Sequence, residues 1–443
     1  MKTSGLLLII ALIAAGCTMQ NFTEPTGYHE SIIFPYQEEH VHGSTLVELP
    51  NGDLLSAWFQ GSGERWADDV RIMGSRRTKG DTTWSTVFEM ADVKGFPDIN
   101  PVLFMDNQQR LWLVWYPVLA NLWETSIPMF RLSTNYAAPG APEWMWQDVL
   151  FVKTDDTERG IQPDDKFVAD VKNQLVDYEE YLNSTLISSV PDSIRGELLL
   201  PWEKYKIKMD SLSKGENMVR AGRIKSENEE IAAPLGYPLT RRIGWQTKNK
   251  AVFLGDRMIL PLYSDGFDCS LFALTDDGGS TWTFSNPVLG GAGIQPTILI
   301  GNEGTLSAYL RDNGPPPQRM QRTLSYNKGL TWSIPKDDIL PNSGSGFDAV
   351  TLSTGEWVMV FNNTEQGRHN LAVAVSDDDG KTWKWTKDIE NDLRGENSTR
   401  SHYPSVIAGA DGRIHISYSY HRYDIKPGKT VKHVSFPLSW VKE

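Results

Sequence analysis

Chemically capable side chains stand beside apolar runs at recurring places in this sequence. The polar residues that begin such a run are His42, Asn100, Asn249, Gln295, Asp348 and Tyr403. The charged residues that follow a later run are Arg311, Asp312 and Arg422. A histidine or tyrosine can transfer protons, and a guanidinium can hold a carboxylate through two parallel hydrogen bonds. Acidic, cationic and aromatic groups gathered in one place are typical of a carbohydrate site.

The elements that must position these residues are predicted to be β-hairpins. In each copy an apolar run leads through a Gly- or Asn-containing turn into a second apolar run. The copies span residues 42–59, 100–116, 249–263, 295–310, 347–361 and 403–420. Because the paired strands are antiparallel, the start of the first and the end of the second lie at one edge. We therefore expect a single mouth, to which the loops after the second strands add Glu64, Trp66, Asp68, Asp69 and Arg368.

A second pattern, Ser/Thr-x-Asp/Asn-x-Gly-x-Thr-Trp, follows most of the hairpins. Clear copies occupy residues 275–282, 325–332 and 376–383, and weaker copies occupy 75–84 and 133–144. In a β-turn of this composition the Asp or Asn bonds nearby backbone N–H groups, while Gly supplies a positive φ. The Trp is expected to pack between sheets. The pattern predicts a repeated turn on the face opposite the mouth.

This pattern resembles the Asp-box of the sialidase superfamily, and the resemblance extends over residues 40–440. It implies an all-β fold, a six-bladed β-propeller. It also implies that Arg311 and Arg368 belong to the arginine triad that grips the carboxylate of sialic acid. Asp69, with Asp68 as its neighbour, falls where the family has its acid/base residue. Tyr403 falls where the family has its nucleophile.

The chain departs from that family at two positions, which predicts a divergent active site. The strand that carries the family's first triad arginine begins here with His40-Val41-His42-Gly43. The family's glutamate that activates the tyrosine is replaced by Gln295. Because glutamine cannot accept a proton, Tyr403 lacks the base that would make its phenol a good nucleophile.

The leading hypothesis is β-elimination at a terminal uronic acid, by lyase or dehydratase chemistry. A neutral histidine, His42, is a suitable base for the proton alpha to the carboxylate. Tyr403 or Asp69 would protonate the leaving group. Arg311 and Arg368 would clamp the carboxylate and stabilise the charge that develops on it. The other residues expected to bind the sugar are Gln295, Trp66, Asn249 and Arg422.

Two alternatives stay open. The first is a sialidase-like exo-glycoside hydrolase that releases a terminal acidic sugar, with Asp69 as acid/base and Tyr403 as nucleophile or charge stabiliser. The second is a lipoprotein that binds glycans without turning them over. In every case the expected partner is an acidic oligosaccharide or polysaccharide, and no cofactor is expected.

Residues 153–240 interrupt the repeat and are predicted to form a helical insertion between blades two and three. Apolar residues recur there at helical spacing. They are Phe167, Val171, Leu175, Tyr178 and Leu182, and then Trp202, Tyr205, Met209 and Leu212. The predicted role is a packing element or a rim that narrows access to the mouth.

The N-terminus is predicted to be a lipoprotein signal peptide over residues 1–17. An apolar run over 6–15 is too short to span a bilayer and ends in Ala14-Ala15-Gly16-Cys17, which resembles a lipobox. Cys17 would carry the lipid, residues 18–38 would be a tether, and the propeller would span 39–443. The expected location is the cell envelope, with the membrane as a partner through the anchor.

Composition excludes further classes. The 443 residues carry a net charge of −13, which argues against binding a phosphate backbone.

Cys269 is the only cysteine besides Cys17 and is predicted to be a small buried hydrophobe. We expect no catalytic metal, because the histidines do not follow a metal-ligand spacing. The ones considered are His402, His415, His421 and His433.

Overall fold

Six antiparallel sheets of four strands each form the molecule, so the predicted six-bladed β-propeller is confirmed. The computed structural model describes residues 27–154, 161–162, 164–214, 242–393, 395 and 397–443. The predicted signal peptide, including Cys17, and the first part of the tether lie outside these residues.

Five sheets use four strands in chain order, as hairpins with short turns favour. The first comprises β2 (His40–Glu48), β3 (Leu54–Gly61), β4 (Arg71–Arg77) and β5 (Phe88–Ala91). The second comprises β6 (Asp98–Met105), β7 (Leu111–Pro117), β8 (Met129–Ser133) and β9 (Trp146–Val149). The third comprises β10 (Val252–Leu254), β11 (Arg257–Ser264), β12 (Cys269–Thr275) and β13 (Thr283–Phe284). The fourth comprises β14 (Ile294–Ile300), β15 (Leu306–Arg311), β16 (Arg319–Ser325) and β17 (Lys336–Pro341). The fifth comprises β18 (Asp348–Thr351), β19 (Trp357–Phe361), β20 (Asn370–Ser376) and β21 (Trp385–Asn391).

The sixth sheet closes the ring by joining the two ends of the described chain. Its strands are β22 (Arg400–Ala408), β23 (Arg413–His421), β24 (Lys429–Pro437) and, at the edge, β1 (His29–Ile32). The next residues, Ile33 and Phe34, are buried in the core. The predicted tether 18–38 is therefore wrong at its C-terminal end, because His29–Ile32 pairs with β24 and the propeller begins by residue 29. The spacing of repeats could not reveal an outer strand supplied from the other end of the chain.

The interruption contains α1 (Lys166–Tyr181) and α2 (Asp192–Lys214), and a third short helix, α3 (Leu438–Lys442), follows β24. The insertion lies between the sheet β6–β9 and the sheet β10–β13. These are the second and third sheets in the numbering used here, and they become the third and fourth if the closing sheet is counted first. The predicted apolar residues of α1 are buried in one core cluster with residues of both sheets. Tyr205 Oη donates to the Asp268 carbonyl at 3.1 Å, so α2 also supports the loop after β11. None of the helices in the described ranges is long and apolar enough to cross a membrane.

The Asp-box turns confirm the predicted chemistry. Asp277 accepts bonds from Thr275 Oγ1 at 2.8 Å, Thr281 N at 2.9 Å and Thr281 Oγ1 at 2.6 Å. The turns 325–332 and 376–383 repeat the same scheme. Gly279 has a φ of +92° and lies against Trp112, where a Cβ would come within 2.5 Å of the ring. Each box therefore joins the last two strands of its sheet and closes on the neighbouring sheet.

The box tryptophans pack between sheets as expected. Trp332, which precedes β17, stacks on Phe272 of β12 with ring centroids 4.0 Å apart. Trp383 lies 6.0 Å from Tyr309 of β15 in an edge-on arrangement. Burial of such rings between sheets is a large apolar contribution to stability. The repeated Trp is thus a structural residue that fixes neighbouring blades to each other.

In four sheets the innermost strand has a β-bulge near its mouth end. The residues in the bulges with positive φ are Gly43 (64°), Asn100 (45°), Gln295 (52°) and Tyr403 (44°). A bulge bends the strand and re-aims a side chain, and a non-glycine residue with positive φ is uncommon. The bulges therefore set the direction of three of the predicted site residues.

Asp348 lies in the central channel and connects several blades. It is 3% exposed at its side chain and accepts bonds from Lys250 Nζ at 2.7 Å, Val406 N at 2.9 Å and Thr297 Oγ1 at 3.2 Å. These partners belong to the start of the third sheet, to β22 and to β14. Asp348 was predicted to line the mouth, but its carboxylate instead holds neighbouring blades together and so has a structural role.

Removing the Asp348 carboxylate should destabilise the propeller. In Asp348→Ala the Lys250 ammonium, which is 18% exposed, loses its buried counter-charge, which costs roughly 3–5 kcal/mol. Urea unfolding measures this, with Asp276→Ala as the control. Asp276 pairs with Arg257 at an exposed turn, and loss of an exposed pair costs less than about 1 kcal/mol. Equal losses in both variants would contradict the structural role of Asp348.

Candidate functional site

Tyr403 is the centre of the polar cluster at the mouth. Its side chain is only 8% exposed, and its Oη accepts hydrogen bonds from Arg311 Nη1 at 2.8 Å and Gln295 Nε2 at 3.1 Å. The ring centroid lies 4.2 Å from that of His42 and 5.6 Å from the guanidinium carbon of Arg368. The structure therefore brings together the two arginines, the tyrosine and the histidine that sequence reasoning singled out.

Arg311 presents part of its guanidinium to the mouth. Arg311 is the last residue of β15. Its Nη1 donates a hydrogen bond to Tyr403 Oη and, at 3.4 Å, another to Gln295 Oε1. Its buried Nε has no hydrogen-bond partner among the described residues. Such a buried N–H is costly unless it is satisfied. This donor is suited to an anionic group of a ligand.

Arg368 approaches Tyr403 from the loop before β20. Its Nη1 lies 2.7 Å from His402 Nδ1 and its Nη2 donates to the Gly344 carbonyl at 3.4 Å. Burial lowers the pKa of this guanidinium, and the positive charge of Arg311 adds to the effect while Tyr403 opposes it. Two guanidinium groups therefore share one buried region, an arrangement that a bound anion would stabilise.

Four histidines surround Tyr403 at the junction of the first and closing sheets. His42 and His402 have ring centroids 5.1 Å apart, and His402 and His421 are 4.7 Å apart. His40 lies 5.9 Å from His42 and pairs with Glu64 at 3.2 Å. The sequence analysis noticed His402 and His421 only as histidines without metal spacing. The register of β22 against β23 would have placed both near the mouth.

Burial lowers the pKa of three of these imidazoles, those of His42, His402 and His421, and so keeps them neutral. Burial, followed by the charge of Arg368, lowers the pKa of His42 and His402 well below the usual value. Burial lowers the pKa of His421 to about 4, while a hydrogen bond to the Val41 carbonyl opposes this shift. The buried Nδ1 of His42 has no hydrogen-bond partner within the described part of the chain. His42 thus offers a neutral imidazole beside the phenol.

Gln295 links Tyr403 to a group of hydroxyls on the other side. Its Nε2 is 3.3 Å from Tyr263 Oη, which lies 3.3 Å from Tyr116 Oη. Asn100 Nδ2 donates to Tyr116 Oη and Tyr263 Oη at 3.1 and 3.2 Å. Gln295 is therefore a positioning residue for Tyr403. Asn100 completes the same network.

The loop after β3 lies at the rim, and its carboxylates differ in position. Asp69 is exposed and accepts bonds from Ser62 N and Ser62 Oγ, the latter at 2.8 Å. Asp68 accepts a bond from Asn121 Nδ2 at 3.0 Å. Glu64, through His40, is the carboxylate of this loop that reaches the histidines. Trp66 of the same loop is 63% exposed and is available to stack on a sugar.

Three other predicted residues lie outside the cluster or serve the fold. Arg422 is bound to Asp424 in a surface ion pair at 2.5 Å. Asn249 is buried, and its Nδ2 donates to the carbonyls of Gln295 and Pro296 at 3.1 and 3.0 Å. Asp312 accepts bonds from Gly314 N and Arg319 N and so shapes its own loop. The predicted substrate contacts of Asn249 and Arg422 are not supported, because other protein groups already use their polar atoms.

Lys248 and Asp265 are site residues that the sequence analysis missed. Lys248 Nζ lies 5.5 Å from the Tyr403 ring centroid and donates to the Pro404 carbonyl at 3.1 Å. Burial lowers the pKa of this ammonium to about 8. Asp265 follows β11, and burial raises the pKa of its carboxyl to about 6 although the charge of Arg311 opposes the shift. Asp265 stands at the end of a second strand, so the rule used for Arg311 would have found it.

The remaining predictions concern cysteine and metal chemistry. Cys269 is a free, fully buried thiol, as predicted for a small buried hydrophobe. Its burial raises the pKa of the thiol well above the usual value. Within the described ranges, no group of three or more His, Cys, Asp or Glu side chains is arranged to hold a metal ion.

The comparisons with known proteins agree with this fold. The model of the BNR repeat-like domain matches residues 52–150 and 243–416. An anhydrosialidase from Macrobdella decora is 25% identical over 188 residues, which are 38% of this chain and 23% of that protein. The intramolecular trans-sialidase from Ruminococcus gnavus, solved with oseltamivir carboxylate, superposes with a TM-score of 0.58 at 12% identity, over 93% of this chain and 98% of its own.

A second similar structure was solved with a different ligand. The α-L-arabinanase from Penicillium chrysogenum, solved with arabinobiose, gives a TM-score of 0.53 at 12% identity, with coverage of 94% and 100% of the two chains. The match to the anhydrosialidase spans less than a quarter of that protein's length. The structural likenesses show the fold, and the chemistry must be argued from the residues.

Acid should destabilise the protein through its buried histidines. The unfolded chain protonates a histidine near pH 6.5, whereas folded His421 resists protonation down to about pH 4. Stability is therefore lost as pH falls from 6.5 towards 4, by roughly 3 kcal/mol for this residue. Urea midpoints at pH 7 and pH 4.5 give the slope, and in His421→Gln, which keeps a donor for Val41, the slope should be shallower. An unchanged slope would rule out His421 as a source of the acid sensitivity.

Proposed function

The chain belongs to the BNR repeat-like domain family, and on that premise we propose that it is a carbohydrate-active enzyme acting on a terminal acidic sugar. The observation that carries the proposal is the convergence of Arg311 and Arg368 on Tyr403. Two guanidinium groups beside one phenol form a site for the carboxylate of a sugar acid. The sialidase names of the similar proteins support an acidic sugar as the ligand class.

The chemistry we favour is β-elimination at a uronic acid. His42 takes the proton from C5, and the electrons of that bond form the C4–C5 double bond. The bond from C4 to the leaving oxygen breaks, and Tyr403 gives its proton to that oxygen. Arg311 and Arg368 stabilise the negative charge that develops on the carboxylate. The protons balance, because one is taken by the imidazole and one is given by the phenol.

The contacts of Tyr403 suit the role of a proton donor. Its oxygen accepts bonds from Arg311 and Gln295, so its own O–H is not used by either. The two N–H donors, with Lys248 near the ring, also stabilise negative charge on the oxygen after the proton has left. No carboxylate of the described residues hydrogen-bonds Tyr403, so the base required for a nucleophilic tyrosine is replaced by an amide.

His42 supplies the complementary base. Its pKa is lowered mainly by burial, which keeps the imidazole neutral at neutral pH. Its Nδ1 has no hydrogen-bond partner in the parts of the chain described here. Contact between its ring and that of Tyr403 places base and acid side by side.

Hydrolysis by a sialidase-like exo-glycosidase is the second candidate, and Asp265 favours it. A carboxyl with a pKa of about 6 beside Arg311 can protonate a leaving group. Asp69, exposed in the loop after β3, is the alternative acid that the family resemblance implies. Tyr403 would then act as the nucleophile or stabilise the positive charge that develops on the sugar ring.

The proposed setting is the cell envelope. Export and lipid attachment at Cys17 would display the propeller at a membrane, where polymeric acidic sugars could reach the mouth. Mass spectrometry of protein purified from membranes tests this, since an acylated Cys17 should be the first residue.

A panel of uronate-terminated and sialylated oligosaccharides, analysed by mass, tests the reaction. Elimination between sugars leaves the summed mass unchanged and creates an unsaturated uronate. Elimination of the free C4 hydroxyl of a terminal uronate removes one water, whereas hydrolysis adds one water across the fragments. An intact panel under all conditions would leave only glycan binding, with no turnover.

Substitution of the clamp should abolish turnover. In Arg311→Gln kcat/KM on the active probe should fall at least about 100-fold, or roughly 3 kcal/mol, because a charged bond to the carboxylate is lost. Arg257→Gln is the matched control, since Arg257 pairs with Asp276 on the opposite face. A loss of less than about threefold in Arg311→Gln would exclude Arg311 from the clamp.

Tyr403→Phe and His42→Gln separate chemistry from binding. Each should lower kcat by about 100-fold or more while changing KM little, as expected for general acid and base groups. Tyr326→Phe, at an exposed Asp-box turn, is the control. Under the hydrolytic alternative, Asp265→Asn would have the larger effect and His42→Gln the smaller one.

A further inference from the structure

A cleft of about 520 Å³ opens beside the mouth, between the fifth and the closing sheets. Its polar lining comes from the loop before β20 and from the approach to β22. These residues are Arg368, His369, Ser398, Arg400 and His402. The cleft is therefore continuous with the cluster around Tyr403 but extends outward from it.

The lining of this cleft is cationic, although the whole chain is acidic. None of the described residues that line it is an Asp or Glu. Arg400 stacks on Tyr423, with its guanidinium carbon 4.6 Å from the ring centroid. Neither Arg368 nor Arg400 forms an ion pair with a carboxylate among the described residues. Two unneutralised guanidinium groups in one cleft attract an anion.

His402 adds a directed donor. Arg368 Nη1 donates to His402 Nδ1, which leaves the proton of the neutral ring on Nε2. His402 is almost fully buried, and its Nε2 has no hydrogen-bond partner in the described part of the chain. His402 lines the cleft, and a buried N–H needs an acceptor. A ligand oxygen in the cleft would supply one.

Arg368 is shared by the mouth and the cleft. One side of it approaches Tyr403 and the other lines the cleft. Resting on the proposed function, we propose that the cleft is a subsite for a second anionic group of the substrate, a carboxylate or a sulfate on the sugar next to the one in the mouth. The preferred substrate is then an oligosaccharide with at least two negative charges.

Binding of four defined probes tests the subsite. Galacturonic acid carries one carboxylate and digalacturonic acid carries two. The disaccharide of glucuronic acid and N-acetylgalactosamine is used with and without a 6-sulfate. Isothermal titration calorimetry gives Kd, and mass spectrometry of the recovered probes monitors turnover. The first pair reports a carboxylate in the cleft and the second pair reports a sulfate.

The wild type should bind the doubly charged member of at least one pair 10-fold or more tightly than its partner. Arg400→Gln should remove this preference and leave the singly charged probes unchanged, and Arg400→Glu should weaken the doubly charged probe further. Arg422→Gln, at a surface ion pair outside the cleft, is the control. Because Arg400 is exposed, these variants are expected to fold, which thermal melting checks.

The outcomes separate the two proposals. Absence of a preference in the wild type, or a preference that survives in Arg400→Gln, overturns the subsite. If Arg311→Gln weakens all probes in that case, the proposed carboxylate site at the mouth stands without it. If instead Arg400→Gln acts and Arg311→Gln does not, the anion binds in the cleft and the proposed clamp at the mouth fails.

Discussion

The site depends on a β-bulge that recurs at the mouth end of the innermost strands. At each bulge a residue with positive φ leaves the ladder, and in three sheets that residue is Asn100, Gln295 or Tyr403. A strained backbone of this kind costs of order 1–3 kcal/mol and persists only where its surroundings hold it. Here the amide of Asn249 bonds the carbonyls at the Gln295 bulge, and Lys248 bonds the carbonyl that follows Tyr403. The channel residues therefore hold the geometry of the mouth.

Charge is distributed unevenly between the channel and the surface. The chain as a whole has more acidic than basic residues. Around Tyr403, in contrast, three basic residues are gathered, Arg311, Arg368 and Lys248. Asp348 neutralises Lys250 deeper in the channel, and the charge of Arg311 acts on the carboxyl of Asp265 at the mouth. A net positive site in a negative protein selects anionic ligands locally.

Much of the architecture was predictable because each repeat carries its own chemistry. The six hairpins agreed with the six blades that the Asp-box resemblance implies, and the order of strands indicated the mouth, so Arg311, Arg368, His42 and Tyr403 were correctly predicted to meet. Strand β1 was missed because its partner, β24, lies at the other end of the chain. Asn249 and Arg422 were assigned to the sugar because a position on the correct face does not reveal whether a polar atom is already bonded. Lys248 was missed because the sequence does not reveal that a lysine beside an apolar run is buried.

The histidines occupy the place of the family's first arginine, and together with Gln295, which replaces the family's glutamate, they change the charge of the site. A third guanidinium in the place of His40 and His42 would add charge to a region where Arg311 and Arg368 already repel each other. The neutral imidazole of His42 adds no charge there and leaves a nitrogen atom that can accept a proton. With Gln295 in place of a carboxylate, Tyr403 Oη accepts a hydrogen bond from an amide and is not bonded to a base among the described residues. Under the function we propose, both changes favour proton transfer beside a bound carboxylate over nucleophilic attack, as elimination requires.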